Sequence, residues 1–245
     1  MTRDPLKRQI TWKLIKDEIL SERKILASFC DSFTDKQWTT DSLCKGWTVG
    51  IVVNHVMIAD RFPSSFGWKV ILKVLAQSVR GFPPNILISW QEQMALDGPK
   101  AAASKLRNNP LPFTARYAGK LGALLNFVEE VIHVEDVIRP LSISRARPPC
   151  EILIKESLNK IAPWIFWYKT LYGKTTFRDT SGDHILTINC KRWMFTTSSK
   201  DFNSDAEIIG QPIDLLLHLF GRNVPVMIPK KGSLSEKIRN LVEHR

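Results

Sequence analysis

The stretch Leu121–Pro140, LGALLNFVEEVIHVEDVIRP, constrains this chain more than any other. Leu121, Leu124, Leu125, Val128, Val131 and Ile132 keep the three-and-four spacing of a helix with a buried stripe. Pro140 ends it, because proline cannot continue a helix and disfavours helix in the residue before it. Glu129 and His133 lie along one flank. Residues four apart differ by only ~40° around the axis and stand one turn above each other, so both side chains can reach one point. Asn126 and Asp136 share that flank. Carboxylate and imidazole are both common ligands for zinc and similar ions. The pair is therefore either half of a metal site or an ordinary helical Glu–His pair at the edge of a core.

A third ligand has to come from elsewhere. Thr48 reads as the N-cap of a helix over 49–61, with Ile51, Val52, Val56 and Ala59 on its apolar face. His55 falls in the middle of that face. A neutral imidazole directed into a core needs partners for its ring nitrogens, and a carbonyl or hydroxyl is the usual one. Should His55 point at Glu129 and His133 instead, the three make a metal site with an open position.

The other segments fit a helical bundle. Residues 6–33 read as a first helix through Ile15, Ile19, Leu26, Phe29 and Phe33. The loop after it carries Trp38 and Trp47, both expected to pack on the bundle. Residues 62–116 are chopped by Pro and Gly, with helical fragments expected at 69–79, 84–95 and 99–107. A last long helix, 150–172, shows a seam of Ile154, Leu158, Ile161, Ile165, Tyr168 and Tyr172, with a kink expected at Pro163.

From Gly173 the period changes. Thr175–Phe177, His184–Asn189, Trp193–Thr197 and Ala206–Ile209 read as short strands, with a turn at Ser181–Asp183. A helix at 211–220, a strand at 224–228 and a helix at 233–243 follow. The expected fold is mainly α: a four-helix bundle over 1–172, then a small α+β domain over 173–245.

Charge narrows the function classes. Lys and Arg exceed Asp and Glu by 35 to 24, a net +11. The positive residues are scattered and are not interleaved with aromatics in a nucleic-acid motif, so no nucleic-acid partner is expected. The four cysteines, at 30, 44, 150 and 190, form no C-x-x-C pair and suit a reducing cytosol. No apolar run is long enough to span a bilayer, and MTRDPLKRQITWK has no signal-type apolar core. A cytoplasmic protein with no membrane partner is expected. G-x-S-x-G, P-loop and G-x-G-x-x-G motifs are all missing.

Three segments, in this order, carry a resemblance. LCKGWTVGIVVNHV (43–56) resembles the C-x-GWTV-x-x-x-x-x-H signature of the actinobacterial mycothiol-dependent maleylpyruvate isomerase-like proteins, part of the wider DinB-like metal-binding bundles. FVEEVIHVEDVIRPL (127–141) is similar to the family's E-x-x-x-H motif with E-D-V-x-R after it. AEIIGQPIDLLLHLFGR (206–222) is similar to its C-terminal pattern ending in GR. The resemblance implies a DinB-like four-helix bundle holding one divalent ion, zinc above others, on His55, Glu129 and His133. It implies mycothiol as co-substrate, with the metal activating the thiol for isomerisation or transfer on an anionic small molecule. Arg222, in the GR element, is the expected anion-binding residue of the active site, with an interface carboxylate as its other possible partner. A non-catalytic metal-binding or regulatory protein of the same fold is the alternative. Position 134 departs from the pattern, being Val where many relatives carry a second His. Cys44 is expected to be structural, His218 to lie at a rim, and His184 and His244 to be solvated.

Overall fold

The structure, a computed structural model, describes residues 10–58, 92, 95–108, 111, 115–116, 119–200, 203–229 and 232–241. The chain divides into two compact units, Met1–Pro148 and Pro149–Arg245. The helices expected at 69–79 and 84–95 lie outside the described residues, apart from positions 92 and 95, and so does His244.

In the first unit, α1 (Trp12–Ser32) starts where the Thr11 hydroxyl accepts from the Leu14 N–H. It buries Ile15, Ile19, Leu26 and Cys30 at helical spacing. A single turn, α2 (Asp35–Trp38), follows in what reads as loop, closed by a Thr34–Gln37 capping box. Next come α3 (Val49–Ile58), α4 (Gly98–Asn108) and α5 (Gly119–Ile138). Helix α1 packs on α4 and α5, and α3 packs on the same two helices. The short side chains Ala102 and Ala103 let α4 approach closely, and Val52, Val53, Val56, Val134 and Val137 fill the space between α3 and α5. These four helices are the bundle.

The bundle therefore differs from expectation in its fourth member. The helix read at 150–172 is α6 (Glu151–Tyr168), and it packs on a sheet and on the helix after it. The sheet has order β3-β2-β1-β4, from β1 (Gly173–Arg178), β2 (His184–Lys191), β3 (Met194–Ser198) and β4 (Ala206–Ile209). β1 pairs antiparallel with β2 and parallel with β4, and β2 pairs antiparallel with β3. Phe166 of α6 meets Phe177 of β1 edge-to-face at 5.7 Å. That contact draws Phe166 inward. Tyr168 and Tyr172, expected in the seam, are exposed instead. By packing, a boundary at 148/149 accounts for α6 better than the expected one at 172/173.

The expected β1–β2 turn is present: Asp179 accepts from the N–H groups of Ser181 and Asp183, and Gly182 takes φ 90°. Two helices close the unit, α7 (Pro212–Leu219) and α8 (Ser233–Arg239). The strand expected at 224–228 is reduced to one bridge, Met227 with Ile209.

Both loop tryptophans pack as expected. Trp38 is buried and donates from Nε1 to the Ala95 carbonyl at 2.8 Å, and Trp47 lies against the same core. Gly50 makes room for Trp38: a Cβ there would stand 2.6 Å from Trp38 Cε2. Since the hydrogen bond ties that ring in place, Gly50→Ala should destabilise the bundle by ~1–3 kcal/mol, the usual cost of overpacking. Urea denaturation of the variant checks this.

Candidate metal centre

The site forms where α3 meets α5. The path into α3 is fixed first. Thr40 and Val49 are joined by a backbone bond, Ser42 N–H donates to the Trp47 carbonyl, and Gly46 takes φ 79° inside that turn. Leu43 N–H donates to the Asp136 carbonyl at 3.1 Å, tying the loop to α5. The Thr48 hydroxyl accepts from the Ile51 N–H at 3.3 Å, as its N-cap role requires. The first turn of α3 is thereby fixed, and His55 follows two turns later.

His55 is half-buried, and its ring lies between Trp47 and His133, with centroids 4.9 Å from each. Its Nε2 stands 3.8 Å from Glu129 Oε2. His133 Nε2 is 3.1 Å from the same oxygen. One ligand atom from each of His55, Glu129 and His133 lies within 4.8 Å of the other two. A tetrahedral ion with bonds of ~2.0–2.1 Å would want its ligand atoms about 3.4 Å apart. The trio brackets that spacing, and its donors are of the zinc-compatible type. On both counts these residues fit a divalent ion.

Helix α5 carries four acids in its last three turns, and each has a partner, His133 serving two of them. Glu129 faces the two histidines. Glu130 turns to α1, where Arg23 Nε donates to it at 2.6 Å with both side chains almost fully buried. Glu135 accepts from Arg139 and Arg145, and Arg145 also holds the buried Glu22. Asp136, fully buried, lies 2.9 Å from His133 Nδ1. That last contact matters most for the site. It places the Nδ1 proton on the Asp136 side and leaves Nε2 as the lone-pair nitrogen when the ring is neutral. A metal-ligating histidine needs this arrangement. Asp136→Asn should therefore weaken metal affinity by about 10–100-fold with the fold intact. Metal titration beside a far-ultraviolet spectrum tests it.

The sequence placed Asp136 on the correct flank but did not assign it this role. Its spacing of three from His133 was the available signal.

Electrostatics suit the trio. Desolvation opposes charge on Glu129, but hydrogen bonds and charge from His133 and His55 outweigh it and hold the carboxyl well below the usual range. Desolvation also opposes charge on His133, yet Asp136 and Glu129 raise it to about 9. In this state the site is a carboxylate–imidazolium–carboxylate chain.

The other expected residues fall as follows. Val134 is fully buried in the bundle core, and its apolar side chain offers no metal ligand. All four cysteines are free thiols, and Cys44 packs at the edge of the bundle core. His218 is buried rather than at a rim, because its Nε2 meets the Ile238 carbonyl of α8 at 3.1 Å. His184 is half-buried, with Nε2 2.9 Å from the Thr187 hydroxyl. Arg222 is buried in the second unit, with Nη1 donating to the Phe220 carbonyl at 2.7 Å.

Residues 19–66 match the family model described as the mycothiol maleylpyruvate isomerase N-terminal domain. That segment contains His55, and the resemblance carried by 43–56 is borne out over it. Two solved structures are similar over 94% of this chain and 96% of theirs: a mycothiol-dependent maleylpyruvate isomerase, at 12% identity and TM-score 0.46, and a histidine-to-alanine mutant of such an enzyme, at 13% and 0.44. No curated protein matches.

Proposed function

We propose that this relative of the mycothiol maleylpyruvate isomerases binds one divalent ion, Zn2+ above others, on His55, Glu129 and His133, and uses it in thiol-dependent isomerisation or transfer. The observation that carries the reading is the convergence of three ligand atoms from two helices within 4.8 Å. A divalent ion held there would act as a Lewis acid, keeping a thiol or a water deprotonated near neutral pH.

The chain's own residues prepare the rest. Asp136 holds His133 in one tautomer and one orientation. Trp47 backs His55 and keeps its ring against His133. One carboxylate and two neutral imidazoles carry a charge of −1, so a divalent ion there keeps a net +1 and favours an anionic further ligand such as a thiolate. Among the described residues three protein donors converge, and a tetrahedral ion held by three donors keeps a fourth position for a further ligand, as catalysis needs. The net charge of +11 favours acidic small molecules as substrates. Arg222 is proposed to receive the anionic group of substrate or thiol, for which a planar guanidinium is suited. Mycothiol is the proposed co-substrate. Free, scattered thiols support a cytoplasmic location. Among the described residues no helix is long and apolar enough to cross a membrane.

The test is to titrate cobalt-substituted protein with mycothiol and with simpler thiols. A sulfur-to-metal charge-transfer band is expected with at least one of them. A fully metallated protein that shows no band with any thiol would sink thiol activation and leave a non-catalytic metal-binding role. Arg222→Ala should weaken binding of the anionic partner while leaving metal content unchanged.

A further inference from the structure

The last two turns of α6 and the β2–β3 hairpin present large apolar side chains outward. Trp164 is 59% exposed, Tyr168 77%, Trp193 84% and Met194 59%. Trp164 and Tyr168, four apart, share one side of α6, and Trp193 and Met194 stand at the tip of the hairpin. Trp164 packs edge-on against both Trp167 and Phe195, with centroids 6.4 and 5.0 Å away. Trp167 Nε1 donates to the Arg192 carbonyl at 3.3 Å, which ties the hairpin tip to the helix. The patch is thus built and held in shape by its own contacts. Contiguous apolar surface of this kind marks an interaction site in a folded domain.

Charge identifies the occupant. The two stretches that form the patch, 160–172 and 189–197, contain Lys160, Lys169, Lys191 and Arg192 and not one Asp or Glu. Lys191 and Arg192 are exposed, whereas Lys160 pairs with Glu156 at 4.0 Å. The Arg192 guanidinium lies 5.1 Å from the Trp193 ring. A second copy docking through the same face would set cation against cation, as an isologous contact requires. A nucleic acid would need open ring faces for its bases. Here Arg192 covers one face of Trp193, and Trp164 is engaged by two other rings.

We propose that this surface docks on an anionic lipid bilayer. Trp193 and Met194, at the hairpin tip, enter the headgroup boundary, and Lys191 and Arg192 meet the lipid phosphates and carboxylates. Tryptophan and tyrosine suit that boundary, having an apolar body and a polar tip. Basic side chains beside them are drawn to the negative surface. The attachment is peripheral and is independent of the metal centre.

The experiment is co-sedimentation of the full chain with two kinds of vesicle, phosphatidylcholine alone and phosphatidylcholine containing phosphatidylserine. Binding to the second kind only, weakening with salt, is expected. Trp193→Ala with Met194→Ala, and separately Lys191→Glu with Arg192→Glu, should each reduce it by about tenfold or more. These side chains are exposed, so circular dichroism should be unchanged, and the metal content should match the parent's. Failure to bind anionic vesicles at low salt overturns the proposal, and so does binding by the two variants that equals the parent's. Patch-dependent dimerisation or single-stranded DNA binding, without vesicle binding, overturns it too.

Discussion

Glu130→Ala should destabilise the first unit by about 3–5 kcal/mol, the cost of stranding a charge in a buried ion pair. Arg23 and Glu130 meet at 2.6 Å with side chains only 2% and 3% exposed. Removing the carboxylate takes from a buried guanidinium the counter-charge it donates to at 2.6 Å. The loss should exceed that at any exposed pair, such as Lys13–Asp17, where removal should cost at most ~1 kcal/mol. Replacing both buried partners together, Arg23→Met with Glu130→Met, should recover most of the stability, because two apolar side chains need no counter-charge. Urea denaturation of the parent, the single variant and the double variant measures both effects. A double variant as unstable as the single one would mean that packing, not charge, holds α1 to α5.

The same pair shows where sequence reading stops. A buried stripe was legible in 121–140 because apolar residues recur there at helical spacing. Yet Leu121 and Leu125, placed in that stripe, are 55% and 45% exposed, whereas Asn126, Glu130 and Asp136 are buried. Periodicity treats acids as the solvent face. It has no term for an acid that meets an arginine more than a hundred positions earlier in the chain. The convergence of His55, Glu129 and His133 was legible for the opposite reason. Glu129 and His133 are fixed by one helix, and Thr48 caps the helix that carries His55. The bundle's fourth helix was misplaced because α6 has a bundle-like seam in sequence. Only the sheet, through Phe177, shows which face of α6 is covered. Residues 98–108, with their short Ala-rich face, gave little apolar signal yet sit against α1 and α3.

His133→Ala should abolish tight metal binding. The ring supplies Nε2 to the trio, and Asp136 holds it there. His55→Ala and Glu129→Ala should act in the same direction. The pH dependence is also determined. Metal needs the neutral imidazole, so binding displaces a proton from His133, which is raised from 6.5 to about 9. Affinity should therefore climb as pH rises toward about 9. In the metal-free protein the sign is reversed. The charged His133 contributes stability that is complete below 6.5 and is lost as pH rises through about 9. Apo protein should thus weaken on the alkaline side while metal binding strengthens there.

The most direct measurement is a calorimetric titration of metal-free protein with Zn2+ at neutral pH, in buffers of different ionisation enthalpy so that proton release is read with affinity. One ion per chain with proton release is expected for the parent, and a loss of more than about 100-fold in affinity for each of His55→Ala, Glu129→Ala and His133→Ala. Variants that bind Zn2+ as the parent does would show that Glu129, His133 and Asp136 are an ordinary ion-pair chain and not a metal centre.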